Sequence, residues 1–439
     1  MSVALTDFFF QEKIDLMAKE AKFVKRERTI SGSVFAQELI FSKFDGKSMS
    51  LENLAEAITA RSLKEISKQA VDLRFTEEAV GFFKLLIEAA LKELYSGEAR
   101  YDFLRNFTEV RVKDSTCFQI PMDMASKYPG SGGASSTACI RIQFEYDVKT
   151  GKILDLSLHP FVKQDLTNAV ETIGDIAPGV LTIRDLGYIS VKSIRGIKEK
   201  GAYFVSRLIN GADAYKIKGG VFVKINFNVV KRYLKRHNLK SLEMDVYLTQ
   251  NKEPVRMVVE YMPEDLARKR IAKAKKQAQK KGRQLSKEYK AKAQLNIFIT
   301  NVGQDILSPE QVHQVYTIRW QIELIFKIWK SIGDIHQVKK MKVARFECCL
   351  YAKLLWIVVN WQIVWQLNIQ IHSSCGKLLS FYKAYKSLKE KITEFCMALA
   401  AGIGFMGEFI ERQLLLAKKF QLLDRKKDKN SMYELIQIM

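Results

Sequence analysis

Cysteine and histidine are scarce in this chain of 439 residues. It has six cysteines, no two of them spaced as Cys-x-x-Cys, and five histidines. Six scattered cysteines exclude a disulfide framework, and the lack of a cysteine and histidine cluster argues against a structural zinc site. The cysteine content therefore predicts a protein of the reducing cytoplasm.

Acidic residues are also few relative to basic ones. Asp and Glu number 48 against 71 Lys and Arg, so the formal net charge is +23. An excess of this size argues against basic or neutral partners and indicates a polyanion, with nucleic acid ahead of an acidic membrane surface. The hydrophobic fraction of 47% is that of a globular protein with a sizeable core.

The chain lacks a long uninterrupted apolar run. Asp7, Glu12 and Lys13 interrupt the N-terminal segment, which therefore does not have the pattern of a signal peptide. The most apolar stretch, residues 354–369, contains Asn360 and three further amide side chains. A membrane-spanning helix needs about 20 predominantly apolar residues. We interpret 354–369 as a buried core helix and expect no membrane partner.

Residues 1–97 contain no proline, and their apolar residues recur at helical spacing. Within them, residues 50–75 predict two short helices separated by a polar break at 59–62, which resembles a helix-turn-helix unit. The second helix would offer Lys64 and Lys68 to DNA. An ordinary helical hairpin with solvated charges is the alternative, and this segment alone favours it.

From about residue 101 the pattern changes to strands. Alternating or continuous apolar runs predict strands at 137–148, 152–160, 180–190, 202–208, 219–230, 242–249, 254–262 and 294–302. Ser308-Pro309-Glu310 then predicts the start of one long helix that reaches about residue 332. The remainder, from about 341, is again helical in pattern.

A low-complexity basic run, residues 265–292, separates the last two predicted strands. It holds twelve Lys and Arg against two acids. This density indicates contact with a phosphate backbone, with a solvated exposed helix as the alternative. The candidate contacts are Lys275, Lys276, Lys280 and Lys281.

The most informative segment is YTIRWQIELIFKIWK, residues 316–330. On a continuous helix Tyr316, Arg319, Glu323 and Lys330 would share one narrow polar stripe, because their offsets of 0, 3, 7 and 14 return to nearly the same angle. A carboxylate between cations and a phenol suits a metal and a phosphodiester. A salt-bridged surface helix is the alternative, and geometry alone leaves it slightly ahead. Trp320, beside the stripe, is interpreted as a packing residue.

Two aspartates could complete a metal site with Glu323. Asp185 ends the apolar run VLTIRD, where a strand's carboxyl end would face a ligand crevice. Asp114 lies in VRVKDSTCFQIP, at or near a strand that ends in polar residues. Any single aspartate of this chain is more often structural than catalytic. Three carboxylates without a histidine or cysteine cluster suit Mg²⁺ or Mn²⁺ rather than zinc.

These motifs together resemble the bacterial DDE transposases of insertion-sequence family four. The spacing Y-x2-R-x3-E-x6-K matches that family's signature without a gap or substitution at Tyr316, Arg319, Glu323 and Lys330. Asp185, followed closely by Gly-Tyr, resembles its second catalytic aspartate, and Asp114, followed by Ser-Thr, resembles its first. The motifs cover residues 111–330.

The resemblance implies an α/β fold with a ribonuclease H-like core, a mixed sheet in which Asp114, Asp185 and Glu323 converge as catalytic and metal-binding residues. It implies five regions: a helical DNA-end-binding domain at 1–100, a catalytic core in two parts at 101–205 and 294–370, a β-rich insertion with the basic run at 206–293, and a helical region for synapsis at 371–439.

The activity implied is transposition. The enzyme would bind the terminal inverted repeats in double-stranded DNA, cleave the strands with Mg²⁺ (or Mn²⁺), and join them to target DNA. It would do so through a hairpin and as a homodimer in the synaptic complex. Tyr316, Arg319 and Lys330 would bind the phosphates near the cleaved end. The expected location is the bacterial cytoplasm, on the nucleoid. A catalytically inert, sequence-specific DNA-binding protein on the same fold is the alternative, which a lost carboxylate would favour; none of the three is lost.

Overall fold

The computed structural model describes residues 1–26, 30–41, 50–94, 104–132, 137–208, 211–249, 252–280 and 282–424. The chain divides into two compact units. The first unit takes its described residues from 1–102, 116–162 and 323–424, and the second unit from 103–115 and 163–322.

The first unit begins with six helices: α1 (Ser2–Phe8), α2 (Gln11–Glu20), α3 (Gly32–Phe41), α4 (Leu51–Ser62), α5 (Lys68–Asp72) and α6 (Glu77–Glu93). Phenylalanines join them, with the ring of Phe23 5.2 Å from that of Phe35 and 5.4 Å from that of Phe82. The hydroxyls of Ser50, Ser67 and Thr76 cap α4, α5 and α6 by accepting backbone N–H groups. The helical reading of this region is confirmed for its described residues.

The helix pair within residues 50–75 differs from the prediction in its proportions. Helix α4 runs on through Ser62, so the break falls at 63–67, and α5 has only five residues. Leu63 takes a left-handed conformation, with φ of 54°, and ends α4. Lys64 therefore lies in the turn, and Lys68 is the first residue of the second helix.

The rest of the first unit contains a hairpin, most of a helix at Trp320–Ser331, and four helices towards the C-terminus. Strands β2 (Cys139–Asp147) and β3 (Ile153–Pro160) pair antiparallel. The helices are α14 (Val343–Cys375), α15 (Phe381–Glu390), α16 (Ile392–Ala401) and α17 (Ile403–Phe420). Among the described residues α14 alone has the length and apolar composition to cross a membrane, yet 89% of its apolar window is buried inside this protein. It is the core helix that the sequence predicts, and its Trp361 donates a hydrogen bond of 2.7 Å to the carbonyl of Gly151.

The second unit is built on a mixed sheet. Its strands are the first residues of β1 (Val110–Gln119), then β4 (Leu181–Arg184), β5 (Tyr203–Arg207), β6 (Ala214–Lys218), β7 (Val221–Lys224), β8 (Ser241–Leu248), β9 (Glu253–Tyr261) and β10 (Leu295–Thr300). Their order is β1-β4-β5-β10-β9-β8-β6-β7. The first three strands are parallel, and the others pair antiparallel.

Helices cover this sheet: α7 (Asp165–Glu171), α8 (Val191–Glu199), α9 (Phe227–Arg236), α10 (Glu264–Lys280), α11 (Lys287–Lys292) and α12 (Pro309–Thr317). One face of β5 and β10 enters the core through Phe204, Leu295 and Ile297. The mixed α/β class is confirmed. The basic run forms α10 and α11, so its alanines and glutamines do support helices.

Residues 219–230 were predicted as one strand, and this is wrong for their second half. Strand β7 ends at Lys224, and α9 begins at Phe227. The side chain of Asn226 caps the helix by accepting the N–H of Asn228. Phe227, Val230 and Leu234 then recur at helical spacing and are buried, so the apolar period of a helix overrides the run of β-branched residues.

Candidate active site

Two aspartates lie side by side on neighbouring parallel strands of the second unit. Lys113 of β1 pairs with Arg184 of β4, and Asp114 and Asp185 each come next along the chain. Asp185 directly follows the carboxyl end of β4, where ligands bind in parallel sheets, whereas Asp114 lies within β1, which continues to Gln119. The side chain of Asp114 is 18% exposed and that of Asp185 is 43% exposed, so both remain accessible to solvent.

A single buried guanidinium contacts both carboxylates. Arg319 Nη1 lies 3.2 Å from Asp114 Oδ2, and Arg319 Nε lies 3.8 Å from Asp185 Oδ1. The arginine side chain is only 8% exposed. Since two neighbouring carboxylates repel each other, the cation stabilises their approach. The result is a compact group of two acids and one fixed positive charge.

Tyr316 adds a phenol to this group. Its hydroxyl lies 3.4 Å from Asp185 Oδ1, and the Arg319 guanidinium carbon lies 5.7 Å from the centre of its ring. Burial raises the pKa of Tyr316 to about 12; the Arg319 charge opposes this shift and the Asp185 charge adds to it. The phenol is therefore protonated at neutral pH and can donate a hydrogen bond to an oxygen anion.

The helix that carries the signature is not continuous. Helix α12 ends at Thr317, and the next helix, α13, spans Trp320–Ser331. Between them Arg319 N bonds to Tyr316 O and Ile322 N bonds to Arg319 O, both across three residues rather than four. The predicted single long helix is thus wrong, and the stripe angles, which assume 100° per residue throughout, do not hold across this turn. Tyr316 lies on α12, Arg319 in the turn, and Glu323 and Lys330 on α13.

Glu323 and Lys330 belong to the first unit. Glu323 is half-buried in the first turn of α13, and Lys330 lies in the last turn. Lys330 Nζ donates a hydrogen bond of 3.1 Å to the carbonyl of Cys117. Seven residues separate the two side chains, which is about two helical turns, so both project from one face of α13. The participation of Glu323 with the two aspartates stays a prediction.

The two aspartates are suitable donors for a divalent ion. Asp114 and Asp185 supply hard oxygen donors side by side, which Mg²⁺ and Mn²⁺ prefer. Within the described ranges, no group of three or more His, Cys, Asp or Glu side chains is arranged to hold a metal ion. The second unit therefore provides two candidate ligands, and they fit a hard cation.

The sequence did not indicate that Tyr188 interacts with Asp165 and with the residue after Asp114. Tyr188, which follows the Leu-Gly pair after Asp185, is buried, and its hydroxyl forms hydrogen bonds with Asp165 and Ser115. Burial, followed by the charges of Asp165 and Asp114, raises the pKa of Tyr188 well above its usual value. The Asp-x-Gly-Tyr order was visible in the sequence, but nothing in it linked Tyr188 to Asp165.

The predicted DNA-contacting lysines that the structure describes are divided between the two units. Lys64 and Lys68 are exposed, and Lys68 pairs with Glu52 at 2.7 Å. On α10, Lys275, Lys276 and Lys280 are exposed, whereas Lys281 lies outside the described residues. Trp320 was expected to pack in the core. Instead it is 56% exposed, with the Arg319 guanidinium carbon 5.6 Å from its ring centre.

Comparisons with known proteins converge on one family. A family model described as a transposase DDE domain matches residues 105–359. The transposase for insertion sequence element IS231B of Bacillus thuringiensis subsp. berliner is 31% identical, over 98% of this chain and 91% of that protein. The transposase for IS231F of Bacillus thuringiensis subsp. israelensis is also 31% identical, over 98% of this chain and 92% of the relative. The transposase for IS1151 of Clostridium perfringens is 28% identical, over 100% of this chain and 96% of the relative.

Proposed function

The chain belongs to the DDE transposases of bacterial insertion sequences, and on that premise we propose how its residues carry out DNA cleavage and strand transfer. The three acidic residues of the reaction are Asp114, Asp185 and Glu323, on a ribonuclease H-like core. The phosphate-binding residues are Tyr316, Arg319 and Lys330. This assignment places the chain in insertion-sequence family four.

One observation carries the proposal: Asp114 and Asp185 follow paired residues of parallel strands and share the Arg319 guanidinium. A carboxylate that follows the end of a parallel strand, as Asp185 follows β4, faces the crevice where ligands bind, and Asp114 lies beside it on β1. Burying the arginine beside them destabilises the fold unless its charge is paired with an anion. Here it neutralises the acids and also lies where a phosphodiester that reaches Asp185 would meet it.

The family generally uses a divalent metal ion, and we assign Mg²⁺, with Mn²⁺ as a substitute. Asp114, Asp185 and Glu323 would hold it. Bound there, the ion would activate a water or the 3′-hydroxyl of the DNA as nucleophile and would stabilise the leaving oxygen. The Tyr316 phenol, protonated at neutral pH, donates to a non-bridging phosphate oxygen. Arg319 and Lys330 add charge-assisted hydrogen bonds to the same linkage or the one beside it.

The remaining regions take the roles of an insertion-sequence enzyme. Residues 1–100 bind the terminal inverted repeats, with Lys64 and Lys68 near the phosphates. The exposed lysines of α10 attract the duplex, and residues 371–439 support the homodimeric synaptic complex. Cut-and-paste transposition through a hairpin, on the nucleoid in the cytoplasm, is the route that this assignment implies.

The test is cleavage of duplex DNA that carries the inverted repeat flanking the reading frame. With Mg²⁺ or Mn²⁺, the wild type should cut at the repeat boundary, and a hairpin product would snap back after denaturation. Asp114→Asn, Asp185→Asn and Glu323→Gln should each lose cleavage by roughly a thousandfold or more while retaining binding to the repeat.

Asp175→Asn is the matched control, because Asp175 is an exposed aspartate of the same unit that does not follow a strand. It should cut like the wild type. Any of the three variants that still cuts at a normal rate removes that residue from the carboxylate set. Binding without cutting by the wild type would favour the inert DNA-binding alternative.

A further inference from the structure

An arginine of the second unit shares a sheet face with Tyr316. Arg207, the last residue of β5, lies directly opposite Phe298 of β10. Residues opposite each other in an antiparallel pair direct their side chains to the same face. The ring of Phe298 lies 5.4 Å from that of Tyr316, so Arg207 and Tyr316 lie on one face of the sheet.

A second arginine reaches this face from the basic helix. Arg270 of α10 donates a hydrogen bond of 3.2 Å to the carbonyl of Leu295 and one of 3.4 Å to Asn296 Oδ1. Asn296 precedes Phe298 by two residues, so its side chain projects to the same face. The opposite face of β10 is closed, because Leu295, Ile297 and Ile299 are buried in the hydrophobic core.

The two guanidinium groups influence each other. Burial, together with the positive charge of Arg207, lowers the pKa of Arg270 to about 10. In the part of the chain that the structure describes, neither arginine forms an ion pair with a carboxylate. Glu260, which pairs with Asn296 across the strands, is bound instead by His313 at 2.6 Å.

The strand register also places this pair beside the acids. Val205 of β5 pairs with Ile183 of β4, so two residues further on Arg207 is level with Asp185. Two nearby cations without a carboxylate between them repel each other, and an anion held between them removes that cost. Guanidinium groups match the geometry of phosphate oxygens.

We propose that Arg207 and Arg270 form a phosphate-binding subsite next to the reaction centre, occupied by a backbone phosphate of the DNA strand whose neighbouring linkage lies at Asp185 and Tyr316. The inference rests on the proposed function and extends it. Arg270 couples the basic helix α10 to the position of the reacting strand, whereas the exposed lysines of α10 only attract the duplex.

The test combines protein variants with neutral linkages in the DNA. Arg207→Gln, Arg270→Gln and the double variant are compared with the wild type and with Arg268→Gln, an exposed arginine of the same helix. Each enzyme cuts a set of repeat duplexes that carry one methylphosphonate at successive positions around the cut. The double variant should cut about tenfold to a hundredfold more slowly at saturating DNA, because the strand is less well positioned. For the double variant, the slope of the logarithm of the binding constant against the logarithm of salt concentration should become shallower by about two.

The decisive readout is the loss of sensitivity. In the wild type, one methylphosphonate adjacent to the cut should slow cleavage by a factor similar to that of the double variant. In the double variant the same substitution should have no further effect. Arg207→Lys with Arg270→Lys should restore part of the rate, because charge is kept.

Several outcomes would overturn the proposal. These are a double variant that cuts like the wild type, one that keeps the wild-type methylphosphonate profile, or a wild type with no sensitive linkage adjacent to the cut. The last result needs no variant, so it decides the matter even if the substitutions unfold the protein. If the wild type cuts normally and the arginine substitutions change neither the cleavage rate nor the methylphosphonate profile, the subsite alone is rejected. A wild type that never cuts rejects the proposed function and the subsite with it.

Discussion

The parallel and antiparallel halves of the second unit's sheet arrange charge in different ways. In the parallel half, Asp185 follows the end of β4 and Asp114 lies beside it within β1, so the acids collect where β4 ends. In the antiparallel half, polar side chains lie on a face, as Asn296 and Glu260 do where β10 pairs with β9. The register of the parallel strands therefore positions the acids, and antiparallel pairing positions the cations beside them.

This difference matters for what each half can bind. Where β4 ends, Arg319 already neutralises part of the charge of two carboxylates, and the remainder suits a divalent cation. On the antiparallel face, Arg207 and Arg270 form no ion pair with a carboxylate within the described residues, which suits an anion. A phosphodiester under attack needs both environments next to each other.

The largest effect is expected from Arg319→Ala, which removes the positive charge that contacts Asp114 and Asp185. We expect cleavage to fall by about a hundredfold to a thousandfold, because phosphate contact and acid positioning are lost together. The free energy of unfolding should fall by about 1–3 kcal/mol, which allows for the partial exposure of Asp185. Mg²⁺ should then raise the melting temperature of the variant more than that of the wild type, because it replaces the missing cation.

Arg195→Ala is the control for Arg319→Ala. Arg195 pairs with Glu253 at 2.6 Å in the same unit but does not lie where β4 ends. It should keep normal cleavage and show no added stabilisation by Mg²⁺. An Arg319→Ala protein that cuts normally, or whose stability does not respond to Mg²⁺, would mean that Arg319 does not neutralise the charge of the two aspartates.

The second prediction separates general attraction from positioning. Replacing Lys275, Lys276 and Lys280 with Gln should weaken binding to the repeat about tenfold to thirtyfold at moderate salt. The slope of the logarithm of the binding constant against the logarithm of salt concentration should become shallower by about 2 to 3. The cutting rate at saturating DNA should stay normal. Binding titrations at several salt concentrations, with single-turnover cleavage, provide the measurement. An unchanged salt slope would mean that these lysines do not contact phosphate, and a lower saturated rate would give α10 a positioning role beyond Arg270.

The position of Asp185 could be predicted from the sequence because it depends on a local pattern. VLTIRD predicts a buried strand that ends at Asp185, and strand β4 does end one residue before it. The spacing of Tyr316 and Arg319 also indicated that they act together, and both contact Asp185. Such features need only strand period and chain order.

The turn between α12 and α13 could not be predicted, since no Gly or Pro marks it. Thr317 and Ile318 are tolerated in helices, and the contacts of Arg319 with two distant aspartates accompany the change. Arg270 could not be selected from twelve cations of the basic run either. Its role depends on hydrogen bonds to β10, which the order of residues along α10 does not reveal.

The third prediction concerns the phenol that links the two halves. Tyr316→Phe should slow cleavage about tenfold, because a neutral donor to phosphate or to Asp185 is lost while the ring still packs on Phe298. Since the pKa of Tyr316 is about 12, the ratio of wild-type to variant rates should be constant from pH 6 to pH 9 (roughly the working range of such assays). Tyr233→Phe, at an exposed site on α9, is the control. A ratio that changes across this range would mean that the phenol titrates during the reaction.

The smallest effect is expected from substitution of Asp165, which is linked to Asp114 through Tyr188 and Ser115. Asp165→Asn keeps the size of the side chain and weakens its hydrogen bond with Tyr188, whose hydroxyl also contacts Ser115 beside Asp114. The loss should be about 1 kcal/mol of unfolding free energy and about threefold in cleavage, because Asp114 is only slightly displaced. Denaturant unfolding and single-turnover cleavage measure the two effects, and Tyr188→Phe should reproduce both. If Asp165→Asn instead abolished cleavage at unchanged stability, Asp165 would belong to the reacting carboxylates. The acids of the second unit would then not be confined to the neighbouring positions on β1 and after β4, because Asp165 begins helix α7.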